Sequence, residues 1–145
     1  MTDSQSAHFV VLGPGPHEQV TELLGLKPAI AHNAGDTNRT GHAFKSMYWR
    51  LNSGLAEDRP LVEHIEALLV WLTPRAAALR ELWLENSLYF QCGLKCSHTF
   101  GLHLSREHIR QMAALGIGLD LDGYAEPEGA APNNSSKPTP LRGAA

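Results

Sequence analysis

Between Cys92 and His108 the chain reads "CGLKCSHTFGLHLSREH", two cysteines and three histidines within seventeen residues. Thiolates and imidazoles at such intervals hold zinc in many small domains, and a thiolate beside a histidine is a potential nucleophile. Neither is the expected reading, the metal site on strand geometry and the nucleophile for want of an orienting group. The flanking residues read as two strands, 87–94 and 98–105, in which successive side chains alternate between faces. His98 and His103 are an odd number of residues apart, about 17 Å of strand, so they do not converge on one ion. Cys92 shares the face of Leu88 and Phe90, where a cysteine behaves as a small inert apolar residue. No third group orients a histidine toward either thiol. The stretch is read as a β-hairpin with a buried cysteine, and neither metal nor cofactor is expected.

Carboxylates are the other candidates. Asp120 and Asp122 alternate with Leu119 and Leu121, which puts both acids on one face of a strand, about 7 Å apart. Tyr124 continues that face. Such a pair can work as acid and base or hold a cation, and it is also what a half-solvated strand looks like. Asp36 lies in "HNAGD", inside a segment from Ala29 to Ala43 too long for a simple connection, and long loops often carry binding function. "GPGP" (13–16) is not a phosphate cradle, because it lacks the lysine and its prolines remove amide donors.

The elements that position these residues follow from periodicity and punctuation. "HFVVL" is a first strand, closed by the Gly-Pro repeat. "HEQVTELL" carries Val20, Leu23 and Leu24 at helical spacing, with Gly25 as its C-cap. "FKSMYWRL" alternates, with Lys45, Met47, Trp49 and Leu51 on one face and Ser46, Tyr48 and Arg50 on the other. Asp58 is placed to cap a helix whose stripe is Leu61, Ile65, Leu68 and Leu72. Thr73-Pro74 bends the chain into a second helix bearing Leu79, Leu82 and Trp83. Ser105 opens a last helix, and "IGLDLDGYA" is a fifth strand. The expected class is therefore α+β: an antiparallel or mixed five-stranded sheet with helices mainly on one face, in the order β-α-β-α-α-β-β-α-β. Residues 1–7 are expected to be a flexible N-terminus and 8–125 one domain. Residues 126–145, rich in Pro, Gly, Ala and Ser, are expected to form a disordered tail.

The whole chain has 145 residues, 43% apolar and 19% charged, with a net charge of -3. That balance suits one globular domain and argues against nucleic acid, whose binders need a basic face. No apolar run reaches the length of a membrane span, and "MTDSQSAHF" lacks the basic and apolar regions of a signal peptide. A cytoplasmic location with reduced cysteines is expected.

In order along the chain, "LGLKP", "GD", "YWRLNSG", "LTP", "FGLHLS" and "LGIGLDLDGY" resemble the bacterial family catalogued as domain of unknown function 4279. The likeness runs over roughly residues 8–125. The matching positions are Gly25, Pro28, Gly35, Asp36, Trp49, Ser53, Gly54, Asp122 and Tyr124; the cysteine–histidine cluster lies outside the pattern. The resemblance implies a small single-domain α+β protein and assigns no catalytic residue. With no triad, metal set or nucleotide motif, the expected function is non-enzymatic binding of a protein partner, of immunity or accessory type. The competing reading is a small enzyme or small-molecule binder with Asp36, Asp122 and Tyr124 gathered beside the 29–43 loop. Asp36, Asp120, Asp122 and Tyr124 are thus the candidate binding residues.

Overall fold

The computed structural model describes residues 3–125; the expectation of a disordered tail over 126–145 lies outside them. Five strands and four helices follow in the order β1 (Ser4–Gly13), α1 (His17–Leu24), β2 (Ile30–His32), β3 (Met47–Asn52), α2 (Leu61–Leu72), α3 (Ala76–Leu82), β4 (Ser87–Cys96), α4 (Arg106–Ala114) and β5 (Gly118–Ala125). A 3-10 turn, Thr73–Arg75, joins α2 to α3 at the proline bend that the sequence announces. The strands form one mixed sheet in the order β2-β3-β1-β4-β5, antiparallel except for the β4–β5 pair. The α+β class, the five-stranded sheet and the single helical layer are as expected.

Strand parity decides what faces the helices. Phe9 pairs with Leu51 on β3 and Phe90 on β4, and Val11 pairs with Trp49 and Leu88. These side chains join Val20 and Leu24 of α1, Ile65, Leu68 and Leu72 of α2, Leu79 of α3 and Met112 of α4 in one buried cluster. Phe9 meets both Trp49 and Phe90 edge-on, with ring centroids 6.1 and 6.2 Å apart, the arrangement that ring quadrupoles favour. Every described helix thus packs on the same side, and none of them lies on the opposite sheet face.

Local signals end the helices where the sequence places them. Gly25 adopts φ 68° at the α1 C-cap and its amide donates to the Thr21 carbonyl. Ser105 caps α4, its hydroxyl accepting from the His108 amide. The start of α2 differs from expectation. Pro60, not Asp58, is the N-cap, and the Leu61 amide donates to Gln5 Oε1 at 2.7 Å.

Three segments depart from the reading of the sequence. Residues 4–7, expected to be flexible, are the first part of β1 and pair with 92–95 of β4. Residues 98–105, expected to be a strand in a hairpin with β4, are not a strand. The flanks of β4 are occupied by β1 and β5, so the order in the chain is β-α-β-β-α-α-β-α-β. The alternation of Leu102 and Leu104 instead lays an extended segment against the core. Period-two hydrophobicity reports one-sided burial, and pairing is a separate matter. The strand that the sequence does not announce is β2, Ile30–His32, inside the segment expected to be loop; at three residues it is too short to show a period.

Candidate functional site

β5 is the C-terminal edge of the sheet. Its eight residues are all exposed, and its described pairing is only with β4, in the register Phe90↔Leu119, Gln91↔Asp120 and Gly93↔Asp122. Leu119 and Leu121 therefore lie on the helical side and Asp120, Asp122 and Tyr124 on the helix-free side, as alternation requires. Gln91 Nε2 donates to Asp122 Oδ2 at 2.8 Å, holding one carboxylate along the sheet. Tyr124 is 69% exposed.

Asp36 is elsewhere. It follows β2, at the other edge of the sheet, so four strand spacings, about 19 Å, separate the two acidic sites. Its carboxylate serves its own loop: the Asn33 amide donates to Asp36 Oδ2 at 2.8 Å, and the Asp36 amide donates to the Asn33 carbonyl at 3.1 Å. Asn33 in turn accepts from the His17 amide at the start of α1 and donates to Glu18, drawing that carboxyl below its ordinary range. The loop closes on itself through a Thr37–Ala43 bridge. Asp36 and Asp122 do not share a pocket, so an acid–base pair built from them is not formed.

The cysteine–histidine stretch disperses. Cys92 and Cys96 are both buried free thiols on the core side of β4, whereas His98 and His103 are exposed. Burial first, then the charge of Asp120, pushes the Cys92 thiol up to about 12, far from a reactive thiolate. Among the described residues no group of three or more His, Cys, Asp or Glu is placed to hold a metal ion.

A different constellation lies between α2 and α4. Ser105 Oγ is 2.9 Å from His108 Nδ1, and His108 Nε2 is 3.3 Å from Glu66 Oε2. The sequence of groups is that of a hydrolase relay, yet the backbone defines it as a cap. The Ser105 amide donates to the same Nδ1 at 3.0 Å, and the His108 amide donates to Ser105 Oγ at 3.1 Å. The lone pair that would take a serine proton already closes a capping box. Two shallow clefts of about 300 and 350 Å³ flank the His108–Glu66 contact.

The helix-free sheet face is the part that the sequence reading left unassigned. Around the fully buried Val10 stand Arg50 and Tyr89, its direct cross-strand partners, with His8 and Leu12 two residues away on β1. At its β2 margin Phe44, His32 and Tyr48 stack, with centroids 3.4 and 5.5 Å apart. Burial and Arg50 push the His8 imidazole down; burial, Tyr48 and Asp120 push the Tyr89 hydroxyl up. The pairing of Tyr48 and Arg50 on the face opposite Trp49 was readable from alternation, but nothing in "HFVVL" or "SLYFQCGL" says which strands stand beside it.

Over the described residues the fold is thus a small α+β domain with one sheet face free of helices and one edge strand, β5, exposed along its length. The chain belongs to the family described as domain of unknown function (DUF4279), whose model matches residues 3–126. No curated protein and no solved structure matches the chain. Among the described residues no helix is long and apolar enough to cross a membrane.

Proposed function

We propose that this chain is a non-enzymatic protein-binding module, of the immunity or accessory type found among small bacterial proteins, that takes an extended segment of its partner along the outer edge of β5. The observation that carries this reading is that Gly118–Ala125 is exposed over its full length while bonded to β4 on one side. A long edge strand is a template for strand addition, in which main-chain bonds give affinity and alternate side chains give specificity. Its chemistry selects the partner. Asp120 and Asp122 on one face favour lysine or arginine at every second position; Leu119 and Leu121 on the other favour apolar residues between them. A second copy added antiparallel would set these acids near their own images, so the edge favours a different, basic chain.

The test is a labelled peptide of alternating lysine and valine titrated against the full chain, with amide exchange read along β5. Binding that protects Gly118–Ala125, weakens as salt is raised and falls in an Asp120→Ala/Asp122→Ala variant supports the reading. Peptide binding that leaves β5 amides as open as before would sink it.

A further inference from the structure

Six buried side-chain polar atoms lack a hydrogen-bond partner among the described residues, and three of them lie on the helix-free sheet face: His8 Nδ1, His32 Nδ1 and Arg50 Nε. Arg50 takes part in none of the described ion pairs, although its side chain is half-buried in the middle of the sheet. A partly desolvated guanidinium with no acid among the described residues is a costly arrangement, and because Nε is itself closed off, it is the outer Nη pair that would receive a carboxylate, with two parallel bonds.

We propose that this face is a receptor for a small planar carboxylate, its acid group held by Arg50 and its ring laid against Tyr48 and Tyr89. Charge fixes the sign of the ligand, and the neighbours limit its size. Arg50 and Tyr89 flank Val10 in register, two strand spacings or about 10 Å apart. One strand beyond Tyr89 come Asp120 and Asp122, so a longer polyanion crossing the sheet would run onto two carboxylates. A single acid on a flat ring satisfies Arg50 and stops short of them. The aromatic side chains favour that ring: Tyr48 continues the Phe44–His32 stack, and Tyr89 keeps its proton and remains a donor. This site is separate from the β5 edge.

Benzoate is the probe, titrated into the full-length chain with backbone amide shifts recorded. The expected result is perturbation centred on Val10, Arg50 and Tyr89. Benzamide, the uncharged isostere, should bind at least about tenfold more weakly, as loss of a charge-assisted pair implies. Arg50→Gln should reduce benzoate affinity by a similar factor, and Arg50→Lys by less. Perturbations that map elsewhere, that survive Arg50→Gln, or that benzamide reproduces at equal affinity would overturn the proposal. A hexaglutamate peptide that binds this face more tightly than benzoate would overturn it too, by making the occupant an acidic chain. Should the Arg50 variants not fold, the comparison of benzoate with benzamide on the parent protein decides alone.

Discussion

His64 and Ser53 form a closed buried pair: the imidazole is 1% exposed, and its Nδ1 lies 2.6 Å from the serine hydroxyl. Ser53 Oγ also accepts from the Leu55 amide at 3.2 Å, so one hydroxyl ties the chain leaving β3 to the inner face of α2. Because His64 Nε2 already has no partner among the described residues, Ser53→Ala would leave both ring nitrogens unpaired in the core. The expected loss is about 1–3 kcal/mol, measured as a drop in urea midpoint at unchanged slope. A variant as stable as the parent would show that the ring finds another partner.

Gly116 ends α4 with φ 73°, and a Cβ built there would stand 1.7 Å from Trp83 Cε3. Backbone strain and the clash add, since the atom met is part of a rigid indole and not a mobile tip. Gly116→Ala should destabilise by more than the ~1 kcal/mol of an ordinary glycine replacement at positive φ. Gly25→Ala is the control: it has the same handedness with nothing within 4 Å of the new atom, so only the strain remains. Equal losses in the two variants would mean that Trp83 moves aside.

What the sequence discloses is what a few neighbouring residues decide. Gly25, Pro74 and Ser105 mark helix ends because capping and ring geometry are local, and they stand where expected. Trp49 and Asp122 face the expected sides because alternation needs only the strand itself. Strand order is different. That Asp36 and Asp122 belong to opposite margins depends on β1 lying between β3 and β4, a long-range choice with no local mark. Arg50 was hidden for the same reason: its side chain is visible in "YWRL", and that no described acid pairs with it shows only in the assembled sheet.

His8 gives the protein a calculable response to acid. Burial first, then Arg50, then His64 hold its imidazole below the ordinary 6.5, against the opposing effects of Asn52 and Glu57. The unfolded chain therefore takes up this proton at higher pH than the folded one. Above 6.5 both are neutral; as pH falls below it, the unfolded state gains the proton first and stability declines until the folded pKa is passed. His8→Asn should flatten the stability profile below pH 6.5, followed by urea unfolding. An unchanged slope would assign the acid sensitivity to other groups.

Cys92 and Cys96 should behave as packing residues. Both are buried, and the Cys92 thiol is pushed up to about 12. Iodoacetamide at pH 8 should label neither until denaturant opens the fold, since the thiolate is the reactive species. An internal disulfide is not expected, because four steps along a strand part their Cα atoms by about 13 Å, beyond the ~7 Å limit for bridging. Rapid labelling of the native protein would show that β4 frays from its end.

The two acidic regions are separable by substitution. Asp36 accepts a backbone bond within its own turn, and the partner of that bond, Asn33, also supports the start of α1. Asp36→Ala should thus cost about 0.5–1.5 kcal/mol of stability, the usual range for one hydrogen bond. The same change should leave binding at the β5 edge untouched, since four strand spacings intervene and no described contact of Asp36 reaches β5. Asp120→Ala/Asp122→Ala should do the reverse. Two exposed acids on an edge strand contribute little to stability, while a basic segment loses its complement along the edge. Combined, the three substitutions should show additive effects on both stability and lysine–valine peptide affinity, within about 0.5 kcal/mol. Coupling beyond that value would mean that the 29–43 loop and β5 act on one partner together, bridging the sheet that now divides them.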